Sequence, residues 1–100
     1  MVIAEVSIIP IGTETPSVSK YVAKAIEIIR QQKRVNYQLT AMGTLLEGEL
    51  VDVLALINNM HNGMFDQKIK RVVTNIKIDD RRDKKASMNN KVQSVAKKLI

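Results

Sequence analysis

The sequence contains no cysteine and no tryptophan, and its aromatic residues number three, Tyr21, Tyr37 and Phe65. Lack of thiols excludes disulfides and thiolate-held metals and suits a reducing interior. Lack of aromatic bulk means that the core must be built from Ile, Val, Leu and Met. His61 is the one histidine, which gives a catalytic triad or a His-based metal cluster no support. Ser7, Ser17, Ser19, Ser87 and Ser94 have no nucleophile-elbow context around them. Neither of the glycine-rich phosphate-binding patterns, GxxxxGK[ST] or GxGxxG, occurs. No apolar run approaches the ~18 residues of a membrane-spanning helix. The start, Met1 to Val6, has no basic segment, and Glu5 interrupts its apolar run, so no signal peptide is predicted and a cytoplasmic location is expected.

What the chain does have is aliphatic residue and charge. Its 100 residues are 45% apolar and carry a net charge of +6. That length predicts one domain over residues 1–100. The apolar fraction is high for so small a unit and suggests subunit contacts. The charge is unevenly placed: residues 1–65 hold five Lys/Arg and six Asp/Glu, whereas residues 66–100 hold eleven and four. A basic last third can attract a polyanion. The competing reading, a solvated strand edge and helix face, is favoured because no nucleic-acid-binding motif accompanies the charge. Asp79, Asp80 and Asp83 are interleaved with Arg81, Arg82, Lys84 and Lys85, which reads as a salted connector, with no cation site.

Hydrophobic periodicity gives the elements. Residues 2–11 alternate as a strand ended by Pro10 and Gly12. Ser17 reads as the N-cap of a helix with Val18, Val22, Ala25, Ile26 and Ile29 on one stripe, running to about Gln32. Residues 36–42 alternate again, Gly43 permits a reversal, and Thr44 to Glu47 form a second arm. Gly48 and Glu49 open a helix striped by Leu50, Val53, Leu54, Ile57, Met60, His61 and Met64, with Asn62-Gly63 as its stop. On that stripe His61 is a packed or interfacial residue, or else a polar contact to a ligand. Residues 68–79 form a long strand, and Ser87 caps a last helix striped by Met88, Val92, Val95, Ala96 and Leu99. Strand, helix, strand, strand, helix, strand, helix is the α+β split βαβ sandwich of the ferredoxin-like fold with an extra C-terminal helix. Right-handed crossovers place the first two helices on one face of the sheet.

The opposite face, by alternation, carries Ile3, Glu5, Ser7 and Ile9, then Gln38, Thr40 and Met42, then Arg71, Val73, Asn75 and Lys77. Too apolar for a purely solvated surface and too polar for a dry core, it suits a partner subunit or a ligand. Glu5 in mid-strand needs a partner if buried, and Arg71 or Lys77 on the same face can provide one. RNA binding of the sheet-face type requires aromatic platforms that this face does not have.

The most informative stretch is Ala41-Met42-Gly43-Thr44-Leu45-Leu46-Glu47-Gly48-Glu49. It places a hydroxyl, Thr44, and a carboxylate, Glu47, between a strand-like and a helix-like segment, a grip for a small molecule without catalytic apparatus. Together with Ile8-Ile9-Pro10-Ile11-Gly12, Ser17, Tyr37 and the strand Arg71 to Asp79, it resembles a family of small single-domain thiamine-binding proteins related to the YkoF-type thiamine and hydroxymethylpyrimidine binders. The resemblance implies a ferredoxin-like fold, homodimers through the sheet that assemble into homotetramers, a bound thiamine or its pyrimidine moiety, no required cofactor, no membrane partner and no catalysis. In that setting Glu47 offsets the thiazolium charge or accepts from the amino group, and Thr44 hydrogen-bonds. Tyr37 stacks, Ser17 and Ser19 add hydroxyls, and Met42 and Ile9 form an apolar wall. Simpler roles stand beside these: Glu47 and Glu49 favour a helix N-terminus, Tyr37 is a core residue, and Thr44 favours a strand. The alternatives to a ligand binder are a structural or regulatory interaction module and, less favoured, a nucleic-acid-binding domain using the basic last third.

Overall fold

The computed structural model describes residues 1–84 and 87–99. Its elements are β1 (Val2–Ile11), α1 (Ser19–Arg30), β2 (Asn36–Leu39), β3 (Thr44–Gly48), α2 (Leu50–Asn62), β4 (Arg71–Asp79) and α3 (Met88–Lys98). The strands form one sheet in the order β2-β3-β1-β4, with every neighbouring pair antiparallel. This is the ferredoxin-like arrangement with an added C-terminal helix.

Alternation along β1 decides what lies inside. Val2, Ala4 and Val6 are buried, and the register sets them beside Gly48, Leu46 and Thr44 of β3. On this face lie α1 and α2, whose buried residues Tyr21, Ala25, Ile29, Val53, Leu56, Ile57 and Met60 complete an aliphatic core with Met64 and Ile69. The inward stripe of α1 runs through Tyr21, one position earlier than Val22, which lies 36% exposed at the helix margin. Leu54 is likewise outside, and Leu56 takes its place in the core.

Three element boundaries are shorter than the periodicity suggests, and in each case a polar side chain has captured backbone groups. The Thr40 hydroxyl accepts from the N–H groups of Met42 and Gly43 and donates to the Gly43 carbonyl, so β2 stops at Leu39. Asp66 accepts from the N–H groups of Lys68 and Ile69 at 2.8 and 2.7 Å, which delays β4 to Arg71. Gln32 donates to the carbonyls of Ile29 and Val35 and accepts from the Val35 N–H, closing the turn after α1. Ser17 does not cap α1. The N-cap position is Val18, which makes no side-chain cap bond, and the Ser17 hydroxyl lies 3.2 Å from that of Ser19. Ser87 does cap α3, accepting from Asn90 N–H.

The other sheet face is open. Glu5 lies opposite Lys77 in register but forms no ion pair with it or with Arg71 among the described residues. It is exposed, so it bears no desolvation cost that would demand a partner. The connector after β4 is salted as expected, with Asp80 paired to Arg82 and Asp83 to Arg81. Each guanidinium holds its carboxylate below the usual aspartate range. His61 joins α2 to β4, its Nδ1 2.6 Å from the Thr74 hydroxyl and its ring edge-on to Phe65.

Candidate functional site

The register of β1 creates a cavity. Pairing between β1 and β3 ends at Val6↔Thr44, whereas β1 runs on to Ile11 with β4 alone beside it. The vacant lane next to residues 7–11 is spanned by the Ala41–Gly43 turn. Gly43 is required there, because a Cβ would sit 2.9 Å from the Val6 carbonyl oxygen. Under this turn a hollow of about 350 Å³ reaches into the core. Its floor is Met60 and Met64, each 1% exposed, and its walls include Val6, Ile8, Tyr21, Ala25 and Thr44. Ser7, Ile9, Leu39, Thr40 and Met42 surround the rim.

Thr44 is the buried polar residue of the described chain, 7% exposed. Its hydroxyl makes no hydrogen bond within the described residues. A buried hydroxyl ordinarily has a partner, so this one is poised to bond a guest. No charged side chain lines the cavity. Its volume stands at the lower end of the ~300–1,000 Å³ typical of small-molecule sites, suited to one flat ring in preference to a long ligand. Larger hollows lie elsewhere and are less apt. One of 410 Å³ beside Met1, Asp80, Arg81, Arg82 and Lys84 is walled by charges already paired with one another. A 660 Å³ groove between α1 and β2 is a surface furrow walled by the exposed Val22 and Leu39.

The structure gathers three of the expected site residues and separates the rest. Thr44, Met42 and Ile9 share the cavity. Glu47 does not join them. It is three residues from Thr44 on one strand, and that odd separation turns the two side chains to opposite faces. Glu47 instead lies on the open face, accepting from the Met88 N–H at 2.7 Å and weakly from Asn36 Nδ2 at 3.4 Å. Tyr37 faces the helix side at the sheet edge beside Arg30, whose guanidinium it holds above the usual range by hydrogen bonding. Ser17 lines a separate 170 Å³ hollow near Lys68, and Ser19 borders the outer furrow of α1. Tyr21, Met60 and Met64 are the residues that sequence reasoning left out of the site. Both methionines stand on the α2 stripe, and Tyr21 would have appeared had the α1 stripe been set one position earlier.

Comparison with known proteins agrees with this architecture. The model of a family described as thiamine-binding protein matches residues 4–96. The chain belongs to that family. Among its relatives, the UPF0045 protein YqgV of Bacillus subtilis is 54% identical, over 99% of this chain and 98% of its own length. A UPF0045 protein of Staphylococcus xylosus is 47% identical, over 99% of this chain and 95% of its own length. Among solved structures, the hypothetical protein MJ1052 of Methanocaldococcus jannaschii superposes with a TM-score of 0.86 at 41% identity, covering 95% of each chain. These relatives span the C-terminal segment as well as the sandwich, so α3 is part of what this family member shares with them.

Proposed function

We propose that the protein binds thiamine or a related pyrimidine without turning it over, with the pyrimidine ring held in the cavity under the Ala41–Gly43 turn. The observation that carries this reading is the unpartnered Thr44 hydroxyl, nine-tenths buried at the wall of an otherwise apolar hollow. An aminopyrimidine offers donors and acceptors along its edge for that hydroxyl and flat faces for Met60, Met64 and Tyr21. A thiazolium finds no counter-charge inside, so that half of thiamine lies at the rim near Met42, in contact with water. Family membership supports a vitamin-type ligand, and the role would be sequestration, delivery or sensing. Self-assembly through the open sheet face belongs to the same reading.

Isothermal titration with thiamine and with hydroxymethylpyrimidine tests it. Micromolar binding of either, weakened at least ~10-fold by Thr44→Val through loss of one buried hydrogen bond, is the expected result. Absence of both heat and thermal shift with either compound would overturn it. The runner-up, an interaction module with no small ligand, is favoured by one observation: α3 leaves a whole apolar stripe uncovered. It predicts that a macromolecular partner, and neither pyrimidine, raises the melting temperature.

A further inference from the structure

α3 is rooted on the open sheet face and then leaves the body. At its root Met88 N–H donates to Glu47, and the Lys91 ammonium pairs with Asp79. Both acids flank Ile3, which is in register with Glu47 on one side and Asp79 on the other. Beyond this root no residue of the helix is buried, and it packs extensively on no other element. Its stripe Val92, Val95 and Leu99 is 69%, 59% and 81% exposed. The radius of gyration is accordingly 15.0 Å, against ~13 Å for a compact chain of this length. On the same side of the molecule, Ile9, Ile11 and Val73 lie exposed on the open sheet face.

We infer that α3 is a strap that covers a second copy of this chain, its Val92–Val95–Leu99 stripe docking on the partner's open-face side while the partner's α3 does the same in return. Two uncovered apolar surfaces on one side of one chain are both covered at once by a twofold axis. Area argues the same way. The bare face over β1, β3 and β4 offers a footprint of roughly 400 Å² from strand spacing and rise, about half of the ~800 Å² each partner contributes to a standard interface. An 11-residue helix adds roughly 160 Å² from its length and width. Charge is complementary too: α3 has no acid, and Lys97 and Lys98 in its last turn make no ion pair among the described residues, nor does Glu5 on the open face. A nucleic acid would use the lysines and leave the valines bare.

This inference rests on the self-assembly part of the proposed function and is independent of its ligand part, since the cavity lies within one chain. The test is sedimentation equilibrium of the full chain, beside Val95→Asp on the strap and Val73→Asp on the sheet face. The expected result is a wild-type oligomer whose dissociation constant rises at least tenfold in each variant, with circular dichroism and ligand heat retained. If Val95→Asp fails to fold, Val95→Ser and Leu99→Ser give the same reading with smaller shifts. Dissociation by Val73→Asp alone overturns the strap and leaves face-to-face assembly standing. A wild-type monomer at high concentration, or assembly only on added nucleic acid, overturns both.

Discussion

Glu47 and Met88 are separated by 41 residues, yet the carboxylate of one accepts the backbone N–H of the other at 2.7 Å. Met88 is the first residue of α3, where N–H groups have no partner within the helix and a negative charge is favoured by the helix dipole. An acid in mid-strand, on the face away from the cavity, thereby fixes where the C-terminal helix begins. Asp79 secures Lys91 one turn later. These two acids stand on strands either side of β1 and aim α3 from the sheet.

Glu47→Gln is therefore expected to loosen α3 and leave pyrimidine binding intact. The loss of a charged cap amounts to about 1 kcal/mol, confined to the helix. Hydrogen exchange checks it: amides of residues 88–98 exchange several-fold faster, those of β1 and α2 are unchanged, and ligand affinity holds within twofold. A large loss of affinity would instead return Glu47 to the ligand.

Much of this architecture could be read from periodicity, because period-two and period-3.6 patterns each require one face inside. The alternation of β1 correctly divided Val2, Ala4 and Val6 from Ile3, Glu5 and Ser7. The site was less legible. A spacing of three between Thr44 and Glu47 invites their union if the segment bends, and divides them if it stays a strand. Extension through Gly48 is settled by pairing with β1 forty residues away, which no local pattern records. The cavity arises from an unequal strand length, β1 outrunning β3, and that too is a property of register. Short polar captures by Thr40, Asp66 and Gln32 set boundaries that apolar spacing cannot show.

Gly43→Ala is expected to damage fold and site together. The added methyl would approach the Val6 carbonyl oxygen to 2.9 Å, and backbone on both sides has little freedom to yield. Overpacking of this kind costs about 1–3 kcal/mol. Because the same turn roofs the cavity, ligand affinity should fall with the melting temperature. Gly12→Ala serves as contrast: its φ of +96° makes it strained, but it stands outside the cavity, so it lowers stability and spares affinity.

Met60→Ala is expected to separate volume from polarity at the site. The side chain is 1% exposed at the cavity floor, so its truncation costs about 2–5 kcal/mol. The hollow also deepens by most of a side chain while Thr44 keeps its place. Affinity for the bare pyrimidine should drop, as the ring loses its floor, and a pyrimidine bearing a bulkier substituent should recover it. Calorimetry with the two ligands checks the reversal of preference. Equal losses for both would mean that the ring does not reach Met60.

Acid should reveal the turn before β4. The N–H groups of Ile69 and Lys68 hold the Asp66 carboxyl below its ordinary range. A carboxyl depressed in the folded state binds fewer protons there than in the unfolded chain. Its contribution is thus complete above the ordinary value of 3.8 and is lost as pH falls through the lower, folded value. Thermal melts of wild type and Asp66→Asn should differ at pH 7 and converge as pH descends below about 4, the range in which aspartates titrate. Salt separates this from the other lowered carboxylates. Asp80 and Asp83 owe their shifts first to Arg82 and Arg81 on the exposed connector, where ~1 M salt screens the pairing. Asp66 owes its shift first to fixed backbone donors, so the difference between wild type and Asp66→Asn at pH 7 should survive the same salt.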